Sequence, residues 1–468
     1  KKMGKKSGNK ITFLKNKKIA IKSYGVKERS WKSVKYYLIN LLGFAIPIEY
    51  QSPKHRKEFE HKCLRLWNEK GFSAPVEIKT PNNINLTGIY LAQEKIIGKT
   101  LHDLLADDNI ENKIKWKAIK SIFQEIRKRH CVAIYEENHL LIHYDSNSRN
   151  IMLSKNHPIF IDFEMGHLTE RIDKSAAREV KKLTLEIANA IDYNLFSKLV
   201  GILFSDYGII HVLRRCSEEE LHRRFSSHHI KRDQKRKRNN PNLITKIDFA
   251  NSIYNYLNPD LNNKKVIEPN NSQQKALDSS WDGKFYQSFD DNDLRGRNML
   301  HRYEVMQFPK SFSGKKVLDL GCNIGRICID TSKRGAIKSV GVDYRQDVMN
   351  AVNSHCVANN IDAKFYQFDI NNGVSSLYKT IGKDTFDVVF ILAIWSHVEK
   401  QKLWDIVNSV CNEVCYFEDN APSRIKSVTK IKKILEDNLK FKKVEFMGYT
   451  TDRGIRSVFR LSNPSANK

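Results

Sequence analysis

His143-Tyr-Asp145-Ser-Asn-Ser-Arg-Asn150-Ile-Met-Leu, followed by Pro158-Ile-Phe-Ile-Asp162-Phe-Glu164, decides how the first half of this 468-residue chain is read. The spacing H-x-D-x-x-x-x-N precedes a short apolar strand that ends in Asp-Phe. Moving a phosphoryl group needs a carboxylate to receive or orient the nucleophilic hydroxyl, and hard oxygen ligands for the metal that bridges the phosphates. Asp145 suits the first task. Asn150 and Asp162 suit the second, with Mg2+ as the metal.

The constellation resembles that of the protein-kinase-like fold, and the upstream sequence agrees. Lys18-Ile-Ala-Ile-Lys22 reads as a short strand ending in the lysine that pairs the phosphates of ATP. Glu60, on the helical stretch Pro53–Lys70, is its expected ion-pair partner, with Glu58 as the alternate. Leu91-Ala-Gln-Glu94-Lys-Ile-Ile-Gly98 resembles the hinge strand that holds adenine, which makes Glu94 an ATP-site candidate. No G-x-G-x-x-G loop occurs, Asp162-Phe is followed by Glu164 instead of Gly, and no A-P-E follows. These departures resemble the small-molecule branch of the fold: aminoglycoside and choline kinases, and above all the lipopolysaccharide sugar kinases, whose helix exit matches Glu60…Leu66…Gly71-Phe-Ser-Ala-Pro75. That resemblance implies a sugar hydroxyl as acceptor.

In the second half, Lys316-Val-Leu-Asp319-Leu-Gly321-Cys-Asn323-Ile-Gly325-Arg is an apolar strand breaking into a glycine turn before a helical stretch. Such a turn lets the backbone approach a ligand and aims helix N–H groups at it. Ser339–Val342 ends in Asp343, an acid placed for ribose hydroxyls. Apolar runs at Lys364–Phe368 (ending in Asp369), Phe386–Leu392 and Val414–Phe417 complete the pattern of a doubly wound parallel sheet. Together they resemble the class I S-adenosylmethionine (SAM)-dependent methyltransferases. The resemblance implies SAM as cofactor, held by Asp319, Gly321, Asn323, Gly325 and Asp343, with Asp369 at the adenine end. The lead-in Trp281-Asp-Gly-Lys-Phe-Tyr286 through Arg295-Gly-Arg297 resembles a segment that folds over the cofactor, with Arg297 placed to pair with its carboxylate. His397 is a candidate general base for an acceptor hydroxyl, and Glu418 and Asp419 are candidates to line the same mouth.

The expected architecture is multidomain: an α+β protein-kinase-like bilobal domain over 1–225, a basic polar linker with a helix over 226–280, and an α/β Rossmann-like methyltransferase domain over 281–468. The formal net charge is +27. Residues 1–240 hold 47 Lys+Arg against 27 Asp+Glu, a net of +20, so the kinase-like half meets something anionic. The segment 29–47, with Trp31, Tyr36 and Tyr37 ahead of an apolar run, has the amphipathic character of a membrane-interface element. The eight cysteines form no C-x-x-C pair, against a disulfide or zinc framework. No run reaches the roughly 20 apolar residues that span a bilayer.

Kinase and methyltransferase on one chain resemble, in reversed domain order, the bifunctional chain terminators of bacterial O-antigen polysaccharides. The resemblance implies a bacterial enzyme of lipopolysaccharide biosynthesis that phosphorylates and methylates a glycan or lipid-linked glycan. It would act in the cytoplasm, peripheral to the inner face of the cytoplasmic membrane through 29–47. The alternative is an RNA- or small-molecule-modifying methyltransferase with an accessory kinase-like domain. Nucleic acid is the less expected partner, because no RNA-binding signature occurs.

Overall fold

The computed structural model describes residues 9–14, 18–25, 48, 51–79, 88–155, 157–166, 168, 170–221, 226–257, 297, 299–421, 427–452 and 454–464. They fall into two compact units, Lys1–Leu257 and Asn258–Lys468. Segment 29–47 and the lead-in from Trp281 through Arg295 lie outside the described residues.

The first unit begins with an antiparallel sheet of β1 (Asn9–Phe13), β2 (Ile19–Tyr24) and β3 (Tyr90–Glu94), ordered β1-β2-β3. In register, Lys22 sits between Ile11 and Leu91. Helix α1 (Pro53–Glu69) starts at Ser52, whose hydroxyl accepts the His55 amide, and Pro53 occupies a first-turn position that needs no N–H. Its buried residues Arg56, Phe59, Glu60, Cys63, Leu64 and Trp67 recur at helical spacing, so a single stripe faces inward. That stripe carries an arginine and a glutamate, which no purely apolar packing would tolerate.

The chain continues through β4 (Lys99–Thr100), α2 (Leu101–Ala106) and the long α3 (Asn112–Tyr135) to the hairpin of β5 (Ile151–Ser154) and β6 (His157–Phe160), with β4 on its edge. Helices α4 (Ile172–Ala188), α5 (Phe196–Ile202) and α6 (Ile210–Leu221) follow. The first part of the expected 226–280 linker forms helix α7 (Ser226–Asn239), built from Lys, Arg and Gln, which are good helix formers, and stopped at Pro241. Helix α8 (Lys246–Leu257) belongs to the first unit: Phe249, Ala250 and Ile253 are buried, and Tyr256 stacks on Phe204 with ring centroids 4.0 Å apart.

The second unit is a seven-stranded sheet of β7 (Lys316–Leu320), β8 (Lys338–Asp343), β9 (Lys364–Gln367), β10 (Phe386–Leu392), β11 (Cys411–Glu418), β12 (Phe441–Thr450) and β13 (Arg456–Pro464), ordered β12-β13-β11-β10-β7-β8-β9. Strands β9, β8, β7, β10 and β11 are parallel. The sheet is nevertheless mixed, not wholly parallel as expected: β13 runs antiparallel to both β11 and β12. A closing hairpin turns the chain back, because β12 and β13 are joined by only Thr451–Ile455 and no crossover helix fits there. Helices α9 (Met299–Met306), α10 (Arg326–Lys333), α11 (Gln346–Ala358), α12 (Gly373–Ile381), α13 (Lys400–Val410) and α14 (Val428–Asn438) supply the partners for apolar clusters around the sheet. The parallel strands end together, which brings the β7, β8 and β10 tips to one edge of the sheet.

Candidate active sites

In the first unit, β2 delivers Lys22 and the buried stripe of α1 delivers Glu60, and the two meet with Nζ 2.7 Å from Oε2. The Tyr24 hydroxyl donates to the same carboxylate oxygen at 2.6 Å. The exposed Glu58 is not the partner. Lys22 also pairs with Asp162, whose backbone lies in the left-handed region at φ +69°. Burial by itself would lower the lysine pKa, but the carboxylates of Glu60, Asp162 and Glu164 outweigh it and hold it above the ordinary value.

Backbone pairing fixes the rest. The Ile161 amide donates to the Asn150 carbonyl at 2.9 Å, while His143 Nε2 donates to the Ile161 carbonyl at 2.9 Å. Asp162 is thereby set beside the loop that carries Asp145 and Asn150. Asn150 Nδ2 donates to the Asp145 carbonyl at 3.0 Å and to its carboxylate at 3.1 Å. The amide group so placed offers its oxygen as an acceptor. One carboxylate and one amide oxygen form the kind of partial shell that Mg2+ uses when phosphate and water complete it, so these residues fit the metal.

Glu94 behaves otherwise than expected. Its amide donates to the Val76 carbonyl at 2.8 Å and its carboxylate accepts the Val76 amide at 3.1 Å. The side chain therefore closes the sheet edge through one carboxylate oxygen.

Several contributors escaped the sequence reading. Arg56, one turn before Glu60, pairs with Glu164 at 2.8 Å and reaches Asn9 at 3.1 Å. Glu179 on α4 accepts the His143 amide at 2.9 Å and is paired with Arg129 and His130, all fully buried. Burial would raise the Glu179 pKa, but the Arg129 and His130 charges hold it below the usual carboxylate range. Lys182, also on α4, pairs with Asp145 Oδ1. Helically spaced charges in the otherwise apolar α4 were the available signal. A cleft of about 580 Å3 lined by His55, Glu58, Phe59, Lys62, Glu137 and His139 shares no residue with this constellation.

In the second unit, the turn after β7 depends on its glycines. Gly321 and Gly325 have φ of +74° and +72°, and a Cβ on either would run into Ile394 or the Phe365 ring. Between them, Asn323 also has positive φ, and its buried Oδ1 has no hydrogen-bond partner. Asp343, at the tip of β8, accepts the Asn323 amide at 3.0 Å and the Arg345 amide at 3.3 Å. Burial raises the Asp343 pKa against those donors. Asp319 is buried on β7, and its pKa rises to about 8: burial is the main cause, the Asp343 charge adds to it, and Arg302 opposes both. Asp369 caps the short turn after β9 by accepting the Asn371 amide at 2.9 Å. A glycine cradle, an orphaned acceptor and two strand-end acids fit the polar end and ribose of SAM.

Arg297 has a different task from the one expected. It is fully buried, pairing with Glu418 and Asp452 at 2.7 Å each. Arg302 also pairs with Glu418, to which Thr450 donates at 2.5 Å. Glu418 is therefore the hub of an ion cluster. Asp419 holds Ser457, accepting its amide at 2.9 Å, so neither acid is a mouth residue. His397 lies exposed in the turn after β10, with its amide bonded to the Ile394 carbonyl at 2.8 Å.

Comparison with known proteins agrees with this geometry. A family model described as "RIO domain" matches residues 9–186, and one described as "Methyltransferase domain" matches 317–414. The ribosomal protein L11 methyltransferase of Agathobacter rectalis is 30% identical over 100 residues, 20% of this chain and 31% of that protein. An uncharacterized protein of Methanocaldococcus jannaschii is 33% identical over 61 residues, 13% of this chain and 28% of its own length. The chain thus spans about a third of the length of the curated relatives it matches. Among solved structures, magnesium protoporphyrin IX methyltransferase from Synechocystis PCC 6803 with bound SAM shares 16% identity at TM-score 0.28, over 38% of this chain and 87% of that one. WbdD shares 18% identity at TM-score 0.31, over 38% of this chain and 39% of that one. The two family models, the strand order and the site residues give the fold of each unit. The first unit is a RIO kinase-like domain and the second a Rossmann-like methyltransferase domain with a mixed seven-stranded sheet.

Proposed function

We propose that this chain phosphorylates a sugar hydroxyl of a cell-surface glycan, of lipopolysaccharide or O-antigen type, with Mg2+-ATP, and then methylates the new phosphate or a neighbouring hydroxyl with SAM. The carrying observation is the assembled set Lys22–Glu60, Asp162, Asn150 and Asp145 on a chain that also holds the glycine cradle of Gly321 and Gly325. The sugar acceptor is supported by how little chain follows Asp162: only Phe163–Arg171 precedes α4. That is too short to build a platform for an extended peptide, whereas a hydroxyl on a flexible glycan needs only access to Asp145. In this scheme Asp145 receives the hydroxyl proton, Asn150 and Asp162 hold the metal, and His397 serves the methyl acceptor. Residues 29–47 would bring the chain to an anionic membrane carrying lipid-linked glycan.

Purified protein supplied with ATP, labelled SAM and glycan acceptors tests the scheme. Methyl incorporation should depend on ATP and on a phosphorylatable hydroxyl. Equal methylation of unphosphorylated acceptor would refute the coupling.

One observation favours RNA as the methyl acceptor: Lys231, Lys235, Arg236 and Arg238 are all exposed on α7. On that reading, binding falls steeply with salt as counterions are released. Absence of RNA retention at low salt eliminates it.

A further inference from the structure

Helix α4 touches the loop of Asp145 at three successive points. Glu179 accepts the His143 amide at 2.9 Å, Lys182 pairs with the Asp145 carboxylate, and Glu186 accepts the Ser148 amide at 2.7 Å. Intervals of three and four residues place 179, 182 and 186 on one stripe of the helix. The outer two contacts grip backbone amides, and Glu179 is fully buried. Lys182 differs from both. It meets a catalytic side chain, and 38% of its own side chain remains exposed.

We propose that Lys182 is the cation that meets the transferring phosphoryl group, supplied from α4 and not from the loop itself. The proposal rests on the kinase reading above. Phosphoryl transfer places growing charge on the equatorial oxygens, and the protein's contribution is chiefly positioning and electrostatic stabilisation. Lys22 is committed elsewhere, being 5% exposed and held by Glu60 and Asp162. Between Asp145 and Asn150 the loop offers Ser146, Asn147 and Ser148, then the exposed Arg149. Among the described residues, Lys182 is the basic side chain that touches Asp145. An acceptor hydroxyl bonded to Asp145 lies about 3 Å from it, and a near-attack phosphorus lies about 3–3.5 Å further on. An ammonium bonded to that carboxylate reaches the phosphoryl oxygens by turning about its own side-chain bonds.

In the step, the acceptor O–H gives its proton to Asp145 as the acceptor O–P bond forms. The bond from the γ-phosphorus to the bridging oxygen breaks, and its electron pair leaves with ADP. Lys182 keeps its protons and donates hydrogen bonds to the non-bridging oxygens.

The test uses the full chain with Mg2+-ATP, following γ-phosphate transfer to water and to a panel of mono- and oligosaccharides, with a fluorescent ATP analogue to measure binding. Lys182→Ala should lower kcat roughly 10²–10³-fold, with analogue affinity within about threefold of wild type. Lys182→Arg should retain part of the activity, and added ethylammonium should restore part of the Lys182→Ala loss, which a merely structural role would not allow. If Lys182→Ala melts early, Lys182→Arg and Lys182→Met, which fill the same space, decide the matter by the presence or absence of charge. A Lys182→Ala protein that transfers phosphate as well as wild type or faster, while Asp145→Asn abolishes transfer, overturns the role of Lys182 and leaves the kinase reading standing. A wild-type chain that neither binds the analogue nor transfers phosphate overturns both.

Discussion

Arg56 Nη1 lies 2.8 Å from Glu164 Oε2, joining the inward stripe of α1 to the residue two places beyond Asp162. Arg56 is one turn ahead of Glu60, so a single helical face holds both the Lys22 partner and this latch. Glu164 stands where the protein-kinase pattern has glycine, and the exchange turns a flexible position into an anchor for α1. Glu164→Ala would leave the Arg56 guanidinium buried without its carboxylate. The expected cost is about 3–5 kcal/mol of first-unit stability, read by urea unfolding. The double change Arg56→Met with Glu164→Leu should recover most of it, since no charge is then stranded. A Glu164→Ala cost below about 1 kcal/mol would show that the pair is not holding the helix.

The Lys22–Glu60 pair predicts a separate loss. Glu60→Gln keeps the shape of the side chain but removes the charge that positions Lys22 against Asp162. Affinity for an ATP analogue should fall at least about tenfold, equal to about 1.4 kcal/mol, measured at a temperature where both proteins are folded. Unchanged affinity would remove Lys22 from the nucleotide site.

Asp319 makes the second unit sensitive to pH. Its folded pKa of about 8 lies above the ordinary aspartate value near 3.9, so the native state binds the extra proton between them. The stability this contributes is complete below about pH 4 and is lost as pH rises through about 8. Asp319→Asn should therefore gain stability relative to wild type as pH is raised from about 5 to about 9, by a few kcal/mol at the upper end. Parallel stability curves for the two proteins across that range would contradict the assignment. A cationic cofactor group docked against Asp319 would expel the proton, so SAM affinity should rise with pH over the same window.

Ala393, at the end of β10, is held at φ +64°. A left-handed alanine costs about 1–2 kcal/mol, and such strain gathers at functional sites. Ala393→Gly should raise the thermal midpoint of the second unit, by an amount worth about 0.5–1 kcal/mol after the added flexibility of the unfolded chain is subtracted. A lower midpoint would mean that the methyl group packs usefully and the strain is not stored there.

The parts of these sites that could be read from sequence are those written in short spacings. Asp145, Asn150 and Asp162 flank one hairpin, and Gly321 through Gly325 lie within one turn, so local pattern sufficed. Lys22 and Glu60 are legible because an apolar strand running into a lysine and a helical stretch both stand in the sequence, although the strand continues to Tyr24. Arg56–Glu164 and the three contacts of α4 join residues brought together only by tertiary folding: the charges of α4 stand in the sequence, but their partners do not. Arg297 illustrates the converse: a sequence displays its charge but not the buried Glu418 and Asp452 that absorb it. The β12–β13 hairpin was missed because lysines dilute the alternation in Phe441–Thr450. The helix Ser226–Asn239 carries so few apolar residues that no inward-facing stripe marks it in the sequence.

The most direct test of coupled phosphorylation and methylation is mass spectrometry of surface glycans from cells making the intact chain, Asp145→Asn, or Gly321→Val. The intact chain should add one phosphate and one methyl group to the same glycan terminus. Asp145→Asn should abolish both additions, and Gly321→Val should leave phosphate without methyl. Glycans of unchanged mass in all three strains, or full methylation in the Asp145→Asn strain, would contradict it.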